Sequence, residues 1–220
     1  MPGNRAGLRG VEREHRGRLR PLWRWTVTAV VVTLAALAGL IAGSALTAGR
    51  ATPEEGSVDA GFARDMSAHH SQAVQMSVLV REGTEDPEIR SLALDILLTQ
   101  QQQAGQMFGW LELWGLPHAS QEPVMGWMQH HAYSEAQAHG DGSVMPGMAT
   151  TEQLNRLSQA SGLEAERLYL QLMIPHHQGG VEMAEYAADN AQEEAVRDLA
   201  QRMVEAQKAE LSVLNNLLET

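Results

Sequence analysis

Residues 62–76 read F-A-R-D-M-S-A-H-H-S-Q-A-V-Q-M, and residues 169–183 read Y-L-Q-L-M-I-P-H-H-Q-G-G-V-E-M. At an offset of 107 they pair Met66 with Met173, His69 with His176, His70 with His177, Val74 with Val181 and Met76 with Met183. The register continues without a gap, so that Leu92 meets Leu199, Ala93 meets Ala200 and Gln100 meets Gln207. One supersecondary unit has been used twice.

The unit is a helical hairpin. Phe62, Met66, His69, Ala73, Met76 and Val80 recur at spacings of three and four, which predicts a helix over about residues 59–81. Gly83-Thr84 breaks it. Asp86 is placed to cap a second helix with Pro87 at its first position, and Gly115-Leu116-Pro117 ends that helix near Trp114. In the second copy, Ser161-x-x-Glu164 reads as a capping box opening a helix to about Ala188, which Pro175 should kink. Asn190-x-x-Glu193 reads as the cap of a last helix reaching about Leu218. Thr150-x-x-Gln153 predicts a short extra helix through Leu157. The expected fold is all-α: a four-helix bundle over residues 59–220, with a pseudo-two-fold axis and a Met- and His-rich crossover at residues 116–150.

The N-terminal part differs in kind. Residues 1–24 form an Arg-rich leader, and residues 25–48 carry no charge. At about 1.5 Å per residue that run is long enough for a hydrocarbon core of about 30 Å. The arginines lie mainly before it, which predicts a transmembrane helix with the leader in the cytoplasm and the bundle outside. A cleaved signal peptide is the rival reading, but its apolar region is usually only about 7–15 residues. Residues 49–58 are a linker. Residues 51–220 carry a net charge of −17 against +6 for residues 1–50. The bundle therefore lacks the basic footprint of a nucleic-acid binder. No cysteine is present, which excludes disulfides and thiolate metal sites.

Met at helical spacing is usually core filler, and a lone buried His is usually structural. Adjacent His residues, however, lie about 100° apart around a helix, and a Met three or four positions earlier lies one turn away. Finding that set twice points to metal. The candidate ligands are Met66, His69 and His70 in the first copy and Met173, His176 and His177 in the second. The two sets are expected to meet across the core. Imidazole with thioether matches copper best, and zinc gains little from Met. The Glu-x-x-His of di-iron bundles occurs only at Glu12/His15, in the leader. Met76 lies about 10 Å along the helix from His69. Met76 and Met183 are thus a second site or packing. The crossover offers Met125, Met128, His130, His131, Met145 and Met148 as weaker sites or as a flexible lid. Gln100 and Gln207 are candidates to hold the imidazoles through hydrogen bonds, or to form an amide pair.

These residues resemble the bacterial family called domain of unknown function 305 (DUF305). Asp59, Phe62, Met66, His69, His70, Ala73, Met76 and Trp110-Leu111 fit its first half. Met145-Pro-Gly-Met148 and Met173-Ile-Pro-His176-His177-Gln-Gly179 fit its second. Gly180 departs from the Ala expected by symmetry with Ala73. The resemblance implies a ferritin-like bundle, and a role like that of family members that bind copper outside the cytoplasm. The expected function is a membrane-anchored, extracytoplasmic copper-binding protein that sequesters or handles the metal. A metal-dependent oxidase and a metal-free interaction bundle are the alternatives; no acid–base constellation marks an enzyme.

Overall fold

The computed structural model describes residues 19–47, 52–128 and 145–219. Six helices appear among them: α1 (Leu19–Thr47), α2 (Val58–Gly83), α3 (Pro87–Trp114), α4 (Thr151–Gln159), α5 (Leu163–Asn190) and α6 (Glu194–Glu219). They fall into two units, residues 1–51 and residues 52–220.

Among the described residues the first unit contains helix α1, where Val30, Val32, Leu34 and Leu40 are exposed. Among the described residues no helix is long and apolar enough to cross a membrane. The unbroken run of described side chains in α1, residues 25–41, covers only about 25 Å at about 1.5 Å per residue.

In the second unit α2 pairs with α3, α5 pairs with α6, and the two hairpins meet through α2 and α5. The two helices that carry the His pairs are therefore the two that cross at the centre. Local chemistry sets most of the boundaries. Ser57 caps α2 by accepting from the Ala60 N–H, and Asp86 caps α3 by accepting from Glu88 and Ile89. Gly115 ends α3 at φ 69°, a left-handed conformation that costs glycine little. Thr150 and Gln153 form the capping box of α4.

Two expected caps are replaced. Ser161 does not cap α5; the N-cap is Gly162, at φ 55° and without a side-chain bond. Asn190 belongs to the last turn of α5, and the turn into α6 is held from another helix. Asp59 at the start of α2 accepts from the Gln192 and Glu193 N–H groups at 3.1 and 2.8 Å. The symmetric acid, Glu166 at the start of α5, accepts from the Thr84 hydroxyl in the α2–α3 turn. Each hairpin thus supplies an acid that holds the turn of the other. Local sequence patterns do not display such long-range caps. At Pro175 α5 continues as one helix.

The apolar interior forms two clusters. One contains Phe62, Met66, Met107, Met183 and Met203, together with Trp127 from the crossover. The other contains Ala73, Met76, Ile96, Tyr169, Met173 and Leu214. The His pairs belong to neither and form a polar layer in the interior.

Candidate metal centre

His69, His70, His176 and His177 are 1%, 0%, 1% and 0% exposed. Burying four imidazoles is costly unless their nitrogens find partners. Each Nε2 does. His69 Nε2 lies 3.0 Å from the Pro146 carbonyl, and His176 Nε2 lies 3.1 Å from the His69 carbonyl. His70 Nε2 lies 2.8 Å from Gln103 Oε1, and His177 Nε2 lies 2.6 Å from Glu210 Oε2. All four partners are acceptors, so each Nε2 carries the proton and donates it. The neutral ring then presents a lone pair at Nδ1. All four Nδ1 atoms are buried without a protein partner.

Protonation cannot easily quench the lone pairs of His69, His70 and His176. Burial lowers the His69 pKa to about 4 against the opposing bond to Pro146. Burial and the neighbouring His69 lower His70 to about 3. Burial, then His69, holds His176 well below the ordinary value. A free imidazole would lose its lone pair to a proton below about 6.5. Burial moves that threshold down. The two symmetry-related rings, His69 and His176, lie against each other with centroids 3.8 Å apart and planes tilted by 30°. The pairs thus meet at the middle of the bundle.

The thioethers are arranged differently from the expected pairing. Met66 and Met173 are fully buried but sit in different apolar clusters. Met66 shares its cluster with Met183, and Met173 shares its cluster with Met76. Antiparallel α2 and α5 bring opposite ends of the two motifs together, as a two-fold axis through the His layer requires. Each Met-x-x-His-His still places its thioether one turn from its own imidazoles.

Gln103 and Glu210 hold the imidazoles, one turn beyond Gln100 and Gln207. Both amide atoms of Gln100 and Oε1 of Gln207 are buried without a partner. The signal was present in the sequence: Gln103 and Glu210 are themselves 107 apart and follow their His by 33 in each copy. At Gly180 a Cβ would come within 2.4 Å of Gln207 Oε1, so an Ala there would require that amide to shift.

The crossover touches the bundle at both ends. Near its start, Asp65 Oδ2 accepts from the Met125 N–H and from Trp127 Nε1–H, both at 2.8 Å. Met125 and Met128 are buried within an apolar cluster. Near its end, Met145 and Met148 are half-buried in a strap laid over α5. Gly147, at φ 69°, lies so close that a Cβ would stand 2.0 Å from the Pro175 carbonyl oxygen. Gly179 makes the matching space for Pro146. Gln72 fixes the strap by bonding both the N–H and the carbonyl of Ala149 at 2.6 and 2.9 Å. His130 and His131 lie outside the described residues.

The donor chemistry fits a soft or borderline ion. Among the described residues no three His, Cys, Asp or Glu side chains converge as a metal site. A site built from carboxylates or three imidazoles is not formed there. Fewer imidazoles completed by thioether sulfur suit copper. The orphaned Nδ1 atoms have the pattern of ligating His, whose other ring nitrogen donates to a carbonyl or carboxylate.

A duplicated four-helix bundle with paired histidines buried where its hairpins cross defines the class of protein. The sequence profile of DUF305, a domain of unknown function, matches residues 59–218, and the chain belongs to that family. The crystal structure of a DUF305 protein from Streptomyces coelicolor, described as a candidate secreted protein, shares 46% identity at a TM-score of 0.68. The match covers 76% of this chain and 94% of that one. A DUF305 fragment from Deinococcus radiodurans shares 33% identity at a TM-score of 0.60, over 74% and 95% of the two chains. CopM in its Cu(II)-bound form shares 26% identity at a TM-score of 0.54, over 74% and 96%. No curated protein matches the chain.

Proposed function

We propose that the bundle binds copper outside the cytoplasm and serves to sequester or pass on the ion. The observation that carries this reading is the set of four buried, partnerless Nδ1 atoms, each on a ring whose Nε2 is already engaged. Met66, His69 and His70 would hold metal in one half, and Met173, His176 and His177 in the other. Copper here is cargo. The role of these side chains is to present neutral nitrogen and sulfur donors in a dry interior. The CopM structures, solved with Cu(I), Cu(II) and silver, support the reading by analogy of fold. A metal-dependent oxidase has less to support it: among the described residues, the acid–base contact found at the His layer is Glu210–His177.

The location rests on two supports: the Streptomyces coelicolor relative described as a candidate secreted protein, and the uncharged residues 25–48. We read that stretch as a retained anchor. N-terminal sequencing of native protein beginning near Ala48 would show cleavage instead.

Competition titration with Cu(I) and Zn²⁺ tests the metal reading. The full chain should prefer Cu(I). Joint replacement of His69, His70, His176 and His177 by Ala should remove most of that affinity while circular dichroism still reports helix. Equal Cu(I) affinity in the two proteins would leave the His layer as a structural feature of a metal-free bundle.

A further inference from the structure

The duplication places an amide and a carboxylate at one and the same position. Gln103 bonds His70 at 2.8 Å and Glu210 bonds His177 at 2.6 Å, each 33 residues after its His and each at Nε2. The two imidazoles match in burial and in their open nitrogen: both are 0% exposed and both have a bare Nδ1. The difference is one unit of charge on the partner.

We propose that Glu210 makes the two halves unequal copper sites: the His176/His177 half binds Cu(II) first, and the His69/His70 half, backed by a neutral amide, is the one suited to Cu(I). This rests on the copper reading above. An imidazole that donates Nε2–H to a carboxylate is a more basic donor at Nδ1 than one that donates to an amide. The carboxylate charge also acts through a poorly screened interior, and it stabilises a doubly charged ion more than a singly charged one. Gln103 gives the same orientation without the charge. Both residues act as positioning residues, and Glu210 adds selection between oxidation states. The Glu210 side chain is 22% exposed, so its outer oxygen stays within reach of water while its inner oxygen holds the ring.

The experiment uses the full chain, with Glu210→Gln and Gln103→Glu as variants. Cu(II) is titrated by electron paramagnetic resonance and Cu(I) by competition with a chromophoric chelator. The parent should show two Cu(II) affinities about 10- to 100-fold apart, the usual size of such an outer contact. Glu210→Gln should bring the tighter one down to the weaker, with a smaller change in Cu(I) affinity. Gln103→Glu should raise the weaker Cu(II) affinity toward the tighter. A merely structural role for Glu210 would lower the melting temperature and shift both oxidation states alike, which overturns the proposal. If Glu210→Gln does not fold, Gln103→Glu decides, and an unchanged Cu(II) isotherm overturns it. A parent that takes up no copper overturns the copper reading as well. A parent that binds copper while both variants match it overturns this inference alone.

Discussion

The first hairpin grips the crossover, and the second makes room for it. In α2, Asp65 holds Met125 and Trp127, His69 holds Pro146, and Gln72 holds Ala149. The positions 107 later in α5 are Leu172, His176 and Gly179. Leu172 takes no part in the polar grip, His176 bonds the backbone of α2 instead, and Gly179 lets the Pro146 backbone lie against the helix. A duplicated unit has two equivalent surfaces, but only one crossover exists to cover them. The copies therefore had to diverge where that segment lies. They stay alike where they face each other, at the paired His and Met positions.

The largest expected effect strikes the layer that both halves share. His69, His70 and His176 have folded pKa values below the unfolded value of about 6.5. Between pH 6.5 and about 4 the unfolded chain binds protons that the folded chain refuses. Stability is therefore complete above pH 6.5 and is lost as pH falls. His69 and His70 each contribute a slope of about 1.4 kcal/mol per pH unit near pH 5, and His176 acts in the same direction. Asp65, raised by burial, opposes this slightly. Metal-free protein in urea should show a midpoint that drops steeply between pH 6.5 and 4.5. A flat profile would mean that the rings are hydrated and that the two halves do not close over them.

Next comes the contact of the crossover with the second hairpin. Gly147→Ala puts a methyl against the Pro175 carbonyl and forces an unfavourable φ, costing about 3 kcal/mol. Gly105→Ala, in open space on α3, should be neutral or slightly stabilising and is the control. Urea denaturation of both variants measures the difference. The gripping side follows: Asp65→Ala leaves two buried N–H donors without an acceptor, worth about 2–3 kcal/mol, and Trp127 fluorescence should shift to the red. If Asp65→Ala is silent, the grip on the first half is not what orders Trp127. The smallest effect concerns the turn ties. Asp59→Ala removes the acceptor for Gln192 and Glu193 and should cost about 1 kcal/mol. Its hydrogen exchange should rise at the start of α6 and not at the start of α3.

The duplication made the bundle legible, because a gapless offset with helical spacing admits few architectures. The meeting of His69 with His176 followed from the same symmetry. What stayed hidden was whatever one chain segment does to a distant one. The Asp59 tie to residues 192 and 193 spans too much sequence for a local capping pattern to reveal. The separation of Met66 from Met173 needed the antiparallel sense of α2 and α5 to be applied to each residue, not only to the motif as a whole. Gln103 and Glu210 carry little repeat signal because they differ in type, whereas the identical amides at 100 and 207 stand out in the duplication without bonding the imidazoles. Gly147 and Gly179 carry no local sign of their role, because the close approach they allow exists only once the strap lies against α5.

X-ray absorption at the copper edge of the Cu(I)-loaded full chain is the most direct test of the central claim. The account predicts mixed nitrogen and sulfur coordination, with the imidazole contribution lost when His69, His70, His176 and His177 are replaced by Ala. A parent spectrum with no imidazole contribution, or one unchanged by those replacements, would contradict it and return the four bare nitrogens to the packing of the core.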